Sequence, residues 1–175
     1  VANLGTGTIS TINIIGFNPS LAALNFTSVT TNYTANNFGN TVAFGGTGIT
    51  VANAGITGQI TNFASSSINF NSSASAGLGA GVSQLLNADM ATINFYDTSS
   101  AGNANLFNNT TAVASINFYA NSSAAQSTIS NTNGTVNFDN NSSAGTSTIT
   151  NQQGVVNFLG NSLTPIVVGQ ATINN

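Results

Sequence analysis

The sequence lacks basic side chains altogether, having no lysine, arginine or histidine. Its only charged residues are Asp89, Asp97 and Asp139, and the net charge is -3. Charged residues make up 2% of the chain, whereas an ordinary soluble domain has about 25%. Because Lys and Arg hold phosphate groups, this composition argues against DNA or RNA as a partner. It argues equally against attraction to an anionic membrane surface.

Cysteine is also absent, so the sequence leaves the redox compartment open. No apolar run reaches the roughly 18 residues that a membrane-spanning helix needs, and we expect no membrane insertion. The chain begins at Val1 rather than Met. Removal of a secretion signal would account for this, as would excision from a longer chain. Without Lys or Arg, trypsin-like proteases find no cleavage site, which favours a secreted, extracellular or bacterial cell-surface location.

A repeated motif dominates what is present. It reads Ile/Val-Asn-Phe followed by a turn rich in Asn and Ser, with copies at 68–74, 93–102, 116–125, 136–145 and 156–163. The phenylalanines of the motif, at 70, 95, 118, 138 and 158, are 25, 23, 20 and 20 residues apart. A fixed period of this size is typical of solenoids and other repeat architectures.

A second phrase lies between the Phe motifs, at 127–131 and 147–151, with looser copies at 59–62 and 171–174. Apolar and polar residues alternate in both phrases, which indicates strands. Strands of three to five residues are too short to be stable alone, but stacked copies pair in register about 4.8 Å apart. The sequence therefore predicts an all-β fold, a parallel β-helix (β-solenoid) with rungs of roughly 20 residues. Asn and Ser at the corners are expected to form amide and hydroxyl ladders.

We expect one solenoid domain over 1–175, with regular rungs at 60–175 and degenerate rungs at 1–59. In the latter, Phe26, Phe44 and Phe63 are taken as successive rungs, 18 and 19 residues apart. Residues 77–92 are an insertion, within which 83–90 is predicted to form one or two helical turns. About eight rungs would make a rod roughly 40 Å long.

The string Ile-Asn-Phe-Tyr-x-x-Ser-Ser-Ala, seen at 93–101 and 116–124 and followed by Thr-Ile-Thr-Asn and a glycine turn, resembles the passenger repeats of bacterial autotransporters. The resemblance covers residues 60–175 well and 1–59 poorly. It implies the right-handed parallel β-helix of surface adhesins. It says little about any activity.

Some β-helices cleave polysaccharides, so the aspartates were considered as catalytic groups. Hydrolysis needs two carboxylates at a defined separation. Aligning the motifs places Asp97 and Asp139 in adjacent columns with opposite facing, two rungs apart, while Asp89 lies in the insertion. We expect no enzyme, no catalytic, cofactor-binding or metal site and no cofactor, with all three as solvated turn residues. A single calcium ion held by Asp97 or Asp139 with corner carbonyls stays open.

Two surface features have alternative interpretations. Glycosylation sequons occur at Asn25, Asn32, Asn71, Asn108, Asn109, Asn121, Asn133 and Asn141. We interpret them as corner geometry in preference to glycan attachment. The Thr-Ile-Thr of 148–150 and Thr-Ile-Ser of 128–130 could stack into an ice-binding array, although an ordinary solvated face is favoured.

The ends of the solenoid determine the predicted function. Residues 6–15 and 166–173 have strand character, and no charged or helical cap protects either end. We therefore expect a structural extracellular protein whose copies join head to tail into a filament or surface fibre. Its partner is then another copy of itself, with a host or biofilm surface as a further candidate. The alternatives are a passenger segment of an autotransporter adhesin and an ice-binding solenoid.

Overall fold

The computed structural model describes residues 2–4, 11–15, 18–27, 32–108, 113–160 and 169–175. Within these ranges there is no helix, and seventeen strands form two parallel sheets. In spatial order, sheet A contains β1 (Ala2–Leu4), β3 (Ser20–Phe26), β5 (Thr41–Val51), β7 (Ser67–Phe70), β10 (Thr92–Phe95), β12 (Ser115–Phe118), β14 (Thr135–Asp139) and β16 (Val155–Leu159), and β8 (Ser75–Leu78) also pairs with β5. Sheet B contains β2 (Thr11–Ile15), β4 (Tyr33–Phe38), β6 (Thr57–Phe63), β9 (Val82–Asn87), β11 (Asn105–Asn108), β13 (Thr128–Asn131), β15 (Thr148–Asn151) and β17 (Thr172–Asn174).

The chain alternates between the two sheets, so every strand pairs with the equivalent strand of the coil before and after it. Phe70 pairs with Phe95, Phe95 with Phe118, and Phe118 with Phe138. These pairings skip strands that are adjacent in sequence, which is the signature of a solenoid. The predicted all-β solenoid is thereby confirmed. A coil of 20 residues holds only from Phe118 onward, and earlier coils are longer.

The phenylalanines of the motif lie in single file along the axis. Six rings stack nearly parallel, with centroids 5.1, 4.9, 4.7, 4.7 and 5.0 Å apart. In order they are Phe44, Phe70, Phe95, Phe118, Phe138 and Phe158. The first five are fully buried, and rings of this size contribute much of the apolar area that a core removes from water.

Aliphatic columns complete the core. In sheet A the residue two before each Phe points inward, as at Ile68, Ile93 and Ile116, all fully buried. Sheet B contributes a facing column in which Leu85, Leu106 and Ile129 are paired in register. Because both sheets alternate with period two, each strand presents only its odd or its even side chains to the core.

A short third side, which the two-strand rung of the sequence prediction lacks, connects sheet A to sheet B. Its residues form single bridges from Ser75 to Ser100, Ser123 and Ser143. The bend before it is left-handed at Asp97, Ala120 and Asn140, each with φ of 56°. A non-glycine residue adopts this conformation at a cost, and Asn and Asp tolerate it best.

Two sequence-based predictions were wrong. Residues 83–90 contain no helical turn, because β9 pairs between β6 and β11 and places Leu85 in the core column. Phe26, Phe44 and Phe63 are not successive rungs. Phe26 pairs with Val51, Phe44 with Phe70, and Phe63 belongs to sheet B, where it stacks on Phe38. The predicted strands at 6–15 and 166–173 lie partly outside the described residues.

Candidate functional site

An asparagine ladder runs along the inner edge of sheet B. Each side-chain Nδ2 donates to the Oδ1 of the next coil, over 2.9, 3.0, 3.1, 3.1, 2.8 and 3.1 Å in order. The members are Asn37, Asn62, Asn87, Asn108, Asn131, Asn151 and Asn175. The amide of Asn131 also donates to the carbonyls of Gly134 and Val155. This inner ladder ties each corner to its own coil and to the next one, as the corner chemistry predicted.

A second ladder runs along the outer face of sheet A, formed by the Asn of each Phe motif. Here the donors point the opposite way, from the later coil to the earlier one, over 2.8, 2.9, 2.8 and 2.9 Å. The members are Asn69, Asn94, Asn117, Asn137 and Asn157. The amides of this outer ladder are engaged with one another, so the face offers a satisfied surface and not an array of open donors.

The three aspartates do not converge. Asp89 and Asp97 are exposed, both with positive φ. Asp97 Oδ2 accepts from the Ser72 N–H at 2.8 Å, and Asp139 Oδ1 accepts from the Asn140 N–H at 2.8 Å. Each of these two carboxylates therefore satisfies a backbone N–H at a corner. The described residues contain no group of three or more Asp, Glu, His or Cys that could hold a metal ion.

Two tyrosines stack beside the Phe file on the outer corner. The rings of Tyr96 and Tyr119 are 5.2 Å apart, and Asp139 lies in the next coil of the same column. Burial raises the pKa of the Tyr119 phenol above its usual range, and Tyr96 and the Asp139 carboxylate raise it further. The phenol therefore stays neutral at ordinary pH and offers no base.

The sequons fall in different environments. Asn108 is buried in the inner ladder, whereas Asn32, Asn121, Asn133 and Asn141 are exposed. Asn25 and Asn71 are half-buried. Asn109 lies outside the described residues. Asn141 Nδ2 donates to Asn121 Oδ1 at 3.3 Å, so these two sequons pair as corner residues.

The predicted threonine array is one coil wider than the motif indicated. Thr128, Thr148 and Thr172 are paired in register on the outer face of sheet B, and all three are exposed. The neighbouring outward column reads Ser130, Thr150 and Asn174. Earlier coils carry other residues in the first column, so the array stops at three threonines.

Two surface features were not predicted from the sequence. On the outer face of sheet B, Phe38 stacks on Phe63 with centroids 4.9 Å apart, and Phe38 remains 43% exposed. On the third side, a shallow groove of about 320 Å³ is lined by glycine backbone and by Leu78, Asn103 and Gln126. The double-sided register of β4 with β6 could have indicated the first feature, but the Phe spacing concealed it.

The strands that end each sheet at the C-terminal side form the most distinctive surface. Within the described part of the chain, β16 pairs only with β14, and β17 only with β15. Val156 and Phe158 are half-buried, whereas the equivalent Val136 and Phe138 one coil earlier are fully buried. We call β16 and β17 together the coil end. It presents backbone groups and apolar side chains that every earlier coil covers.

The described ranges contain no helix with the length and apolar character required to span a lipid bilayer. No protein-family model matches the sequence, and neither the curated proteins nor the solved structures contain a significant match. The class is therefore defined by the fold itself: a parallel β-solenoid held by stacked phenylalanines and two asparagine ladders.

Proposed function

We propose that this solenoid is a structural protein of an extracellular filament or surface fibre, in which copies associate end to end. The observation that carries the proposal is the coil end, where Val156, Phe158 and Ile173 remain accessible. An exposed strand edge with an apolar inner face is a template for further pairing.

The side-chain register supports a second copy of this chain as the partner. Following the pairings of sheet B from strand to strand places Thr11 in the same column as Thr172. The first and last strands of that sheet therefore carry Thr-Ile-Asn in the same columns, at 11–13 and 172–174. Stacking β17 of one copy on β2 of the next would continue the sheet in register.

Charge supports the same partner. With a net charge of -3 over 175 residues, little electrostatic repulsion opposes association of copies. The contact is heterologous, because one end meets the other, and such a contact extends into a filament and does not close.

Electron microscopy of Ile173→Lys tests the proposal. Ile173 is 37% exposed on the end strand, and a lysine there would place an unpaired charge in the contact between copies. The wild-type protein is expected to form particles longer than one solenoid, and Ile173→Lys to give single solenoids. Thr148→Lys is the matched control, since it adds the same charge to the outer face of the same sheet and should leave assembly intact. Monodisperse wild-type monomers at high concentration would refute the proposal.

A passenger segment of an autotransporter adhesin is the second candidate. The coil end could equally receive further coils of the same polypeptide, and the Phe-Asn repeat is of that type. The full-length gene discriminates the two: a downstream translocator domain favours the adhesin, and a short gene for a signal plus this chain favours the filament.

An ice-binding role is the third candidate, supported only by the column of Thr128, Thr148 and Thr172. Thermal hysteresis of the purified protein would support it. Thr148→Lys, at the centre of the array, should then abolish the hysteresis.

A further inference from the structure

The corner between β13 and β14 consists of Thr132, Asn133 and Gly134. Among the asparagines of the chain, Asn133 alone is followed by glycine. Its side chain is exposed, whereas Gly134 is buried. The sequence thus places its one Asn-Gly pair at a solvent-facing corner of a regular coil.

Both reacting groups at this corner are unengaged. Within the described part of the chain, the Gly134 N–H and the Asn133 side chain make no hydrogen bond. The Gly134 carbonyl, in contrast, accepts from Asn131 Nδ2 at 3.1 Å and from the Val155 N–H at 2.9 Å. The Asn133 amide is therefore free to turn towards the Gly134 nitrogen, and that nitrogen has no competing partner.

We infer that Asn133 is a site of spontaneous deamidation. The Gly134 nitrogen attacks Asn133 Cγ, the N–Cγ bond forms, the Cγ–Nδ2 bond breaks, and ammonia leaves with the proton that the nitrogen loses. The resulting five-membered succinimide takes up one water molecule at either carbonyl, giving aspartate or isoaspartate at position 133. The reaction needs only water, and glycine favours it because no Cβ hinders the nitrogen or restricts its backbone.

The product strains the contact between coils. Gly134 is packed so closely that a Cβ there would lie 2.5 Å from the Ala114 carbonyl oxygen and would also clash with Asn108 Nδ2. Isoaspartate lengthens the backbone by one methylene immediately before this position. The lengthened corner has no room to relax inward, so it displaces the Gly134 carbonyl and weakens its bonds to Asn131 and Val155. Each event also adds one negative charge.

The next coil supplies an internal control. Gln153 and Gly154 occupy the equivalent corner, and a Cβ on Gly154 would lie 2.5 Å from the Gly134 carbonyl oxygen. The packing is thus alike, but a glutamine must close a six-membered ring, which is slower. Reaction at Asn133 without reaction at Gln153 separates the Asn-Gly chemistry from general exposure.

Mass spectrometry of the folded protein, aged at mildly alkaline pH, tests the inference. The chain has no site for trypsin, so chymotryptic cleavage after Phe118 and Phe138 is the means of isolating the segment. Asn133 is expected to convert about tenfold faster than the exposed Asn121 and Asn141, equivalent to about 1.4 kcal/mol in activation free energy. Conversion no faster than at those two residues would overturn the inference.

Two variants separate the consequences. Asn133→Gln should abolish conversion at this corner without changing the fold, as the corner at Gln153 indicates. Asn133→Asp carries the charge without the extra methylene and should keep the stability of the fresh protein. Aged wild-type protein should unfold at lower denaturant concentration than either variant aged in the same way. Equal loss in all three would contradict the strain at Gly134.

Discussion

The left-handed corner before the third side shows how single residues affect the stability of the solenoid. Ala120 and Asn140 occupy the same position in successive coils and have the same φ of 56°. Asparagine tolerates this conformation, whereas alanine has no side-chain polar group to offset it. The two coils therefore form a natural comparison of residue types in one backbone conformation.

Exchanging these residue types should change stability in opposite directions. Ala120→Asn is expected to raise the free energy of unfolding by about 1 kcal/mol, and Asn140→Ala to lower it by about the same amount. Denaturant unfolding of the two variants measures both. Changes of the same sign would show that side-chain contacts, and not backbone strain, govern this corner.

Buried serine hydroxyls form a second feature at this scale. Ser99, Ser122 and Ser142 are buried, and their Oγ atoms have no hydrogen-bond partner. One coil earlier, Ala74 occupies the same column. The column therefore accepts alanine without a change of backbone.

Ser122→Ala should stabilise the protein, because it removes a buried hydroxyl whose desolvation is not offset. We expect a gain of about 1 kcal/mol in the free energy of unfolding. Ser123→Ala is the control, since Ser123 Oγ accepts from the Ala125 N–H at 3.0 Å and its loss should destabilise. Thermal unfolding compares the two, and a loss of stability in Ser122→Ala would indicate a partner for its hydroxyl.

At the scale of elements, the two asparagine ladders differ in exposure. Asn131 of the inner ladder is fully buried, and its amide serves Asn151, Gly134 and Val155. Asn137, six residues later in the outer ladder, is half-buried. Water can replace the partners of the outer amide but cannot reach those of the inner one.

The two alanine variants should therefore differ in cost. Asn131→Ala is expected to lower the free energy of unfolding by about 3 kcal/mol, because it leaves several buried polar groups unpaired. Asn137→Ala should cost about 1 kcal/mol. Equilibrium unfolding in urea measures both, and equal losses would contradict the distinction between a buried and a solvated ladder.

The elements also show what the sequence reveals. The regular coils from Ile68 onward were predictable, because Asn and Phe recur at fixed places and period-two alternation assigns their facing. The strand at Val82–Asn87 was mistaken for helix, since Leu85 and Leu86 are adjacent and only pairing with β6 shows which one points inward. Phe63 was misassigned for a similar reason: the spacing of phenylalanines does not tell which sheet each belongs to.

At the scale of the whole molecule, the near-absence of ionisable side chains determines the response to pH. No side chain in the sequence has an ordinary pKa between about 5 and 9. Stability should therefore be nearly constant across this range. Above about pH 10 it should fall, because the raised pKa of Tyr119 means that the folded state holds its proton longer than the unfolded chain does.

Unfolding measured as a function of pH checks this expectation. Tyr119→Phe should show a shallower fall above about pH 10 than the wild-type protein, since one raised pKa has been removed. A steep change in stability between about pH 6 and 8 would instead require an ionisable group with a strongly shifted pKa.

The candidate site was predictable only in part. Lack of charge and the strand character of the terminal segments predicted pairing at the ends, but the exposure of Val156 and Phe158 depends on what lies over β16. The third side and its groove depend on bridges of one residue, such as Ser100 to Ser123, which leave no period-two pattern in the sequence.

The account depends on like side chains of successive coils lying directly over one another. A crystal structure of the purified protein tests this most directly. It should place the rings of Phe44, Phe70, Phe95, Phe118, Phe138 and Phe158 in one file, with neighbouring centroids 4.7 to 5.1 Å apart. Rings distributed over separate layers, or pointing to opposite faces of sheet A, would contradict it.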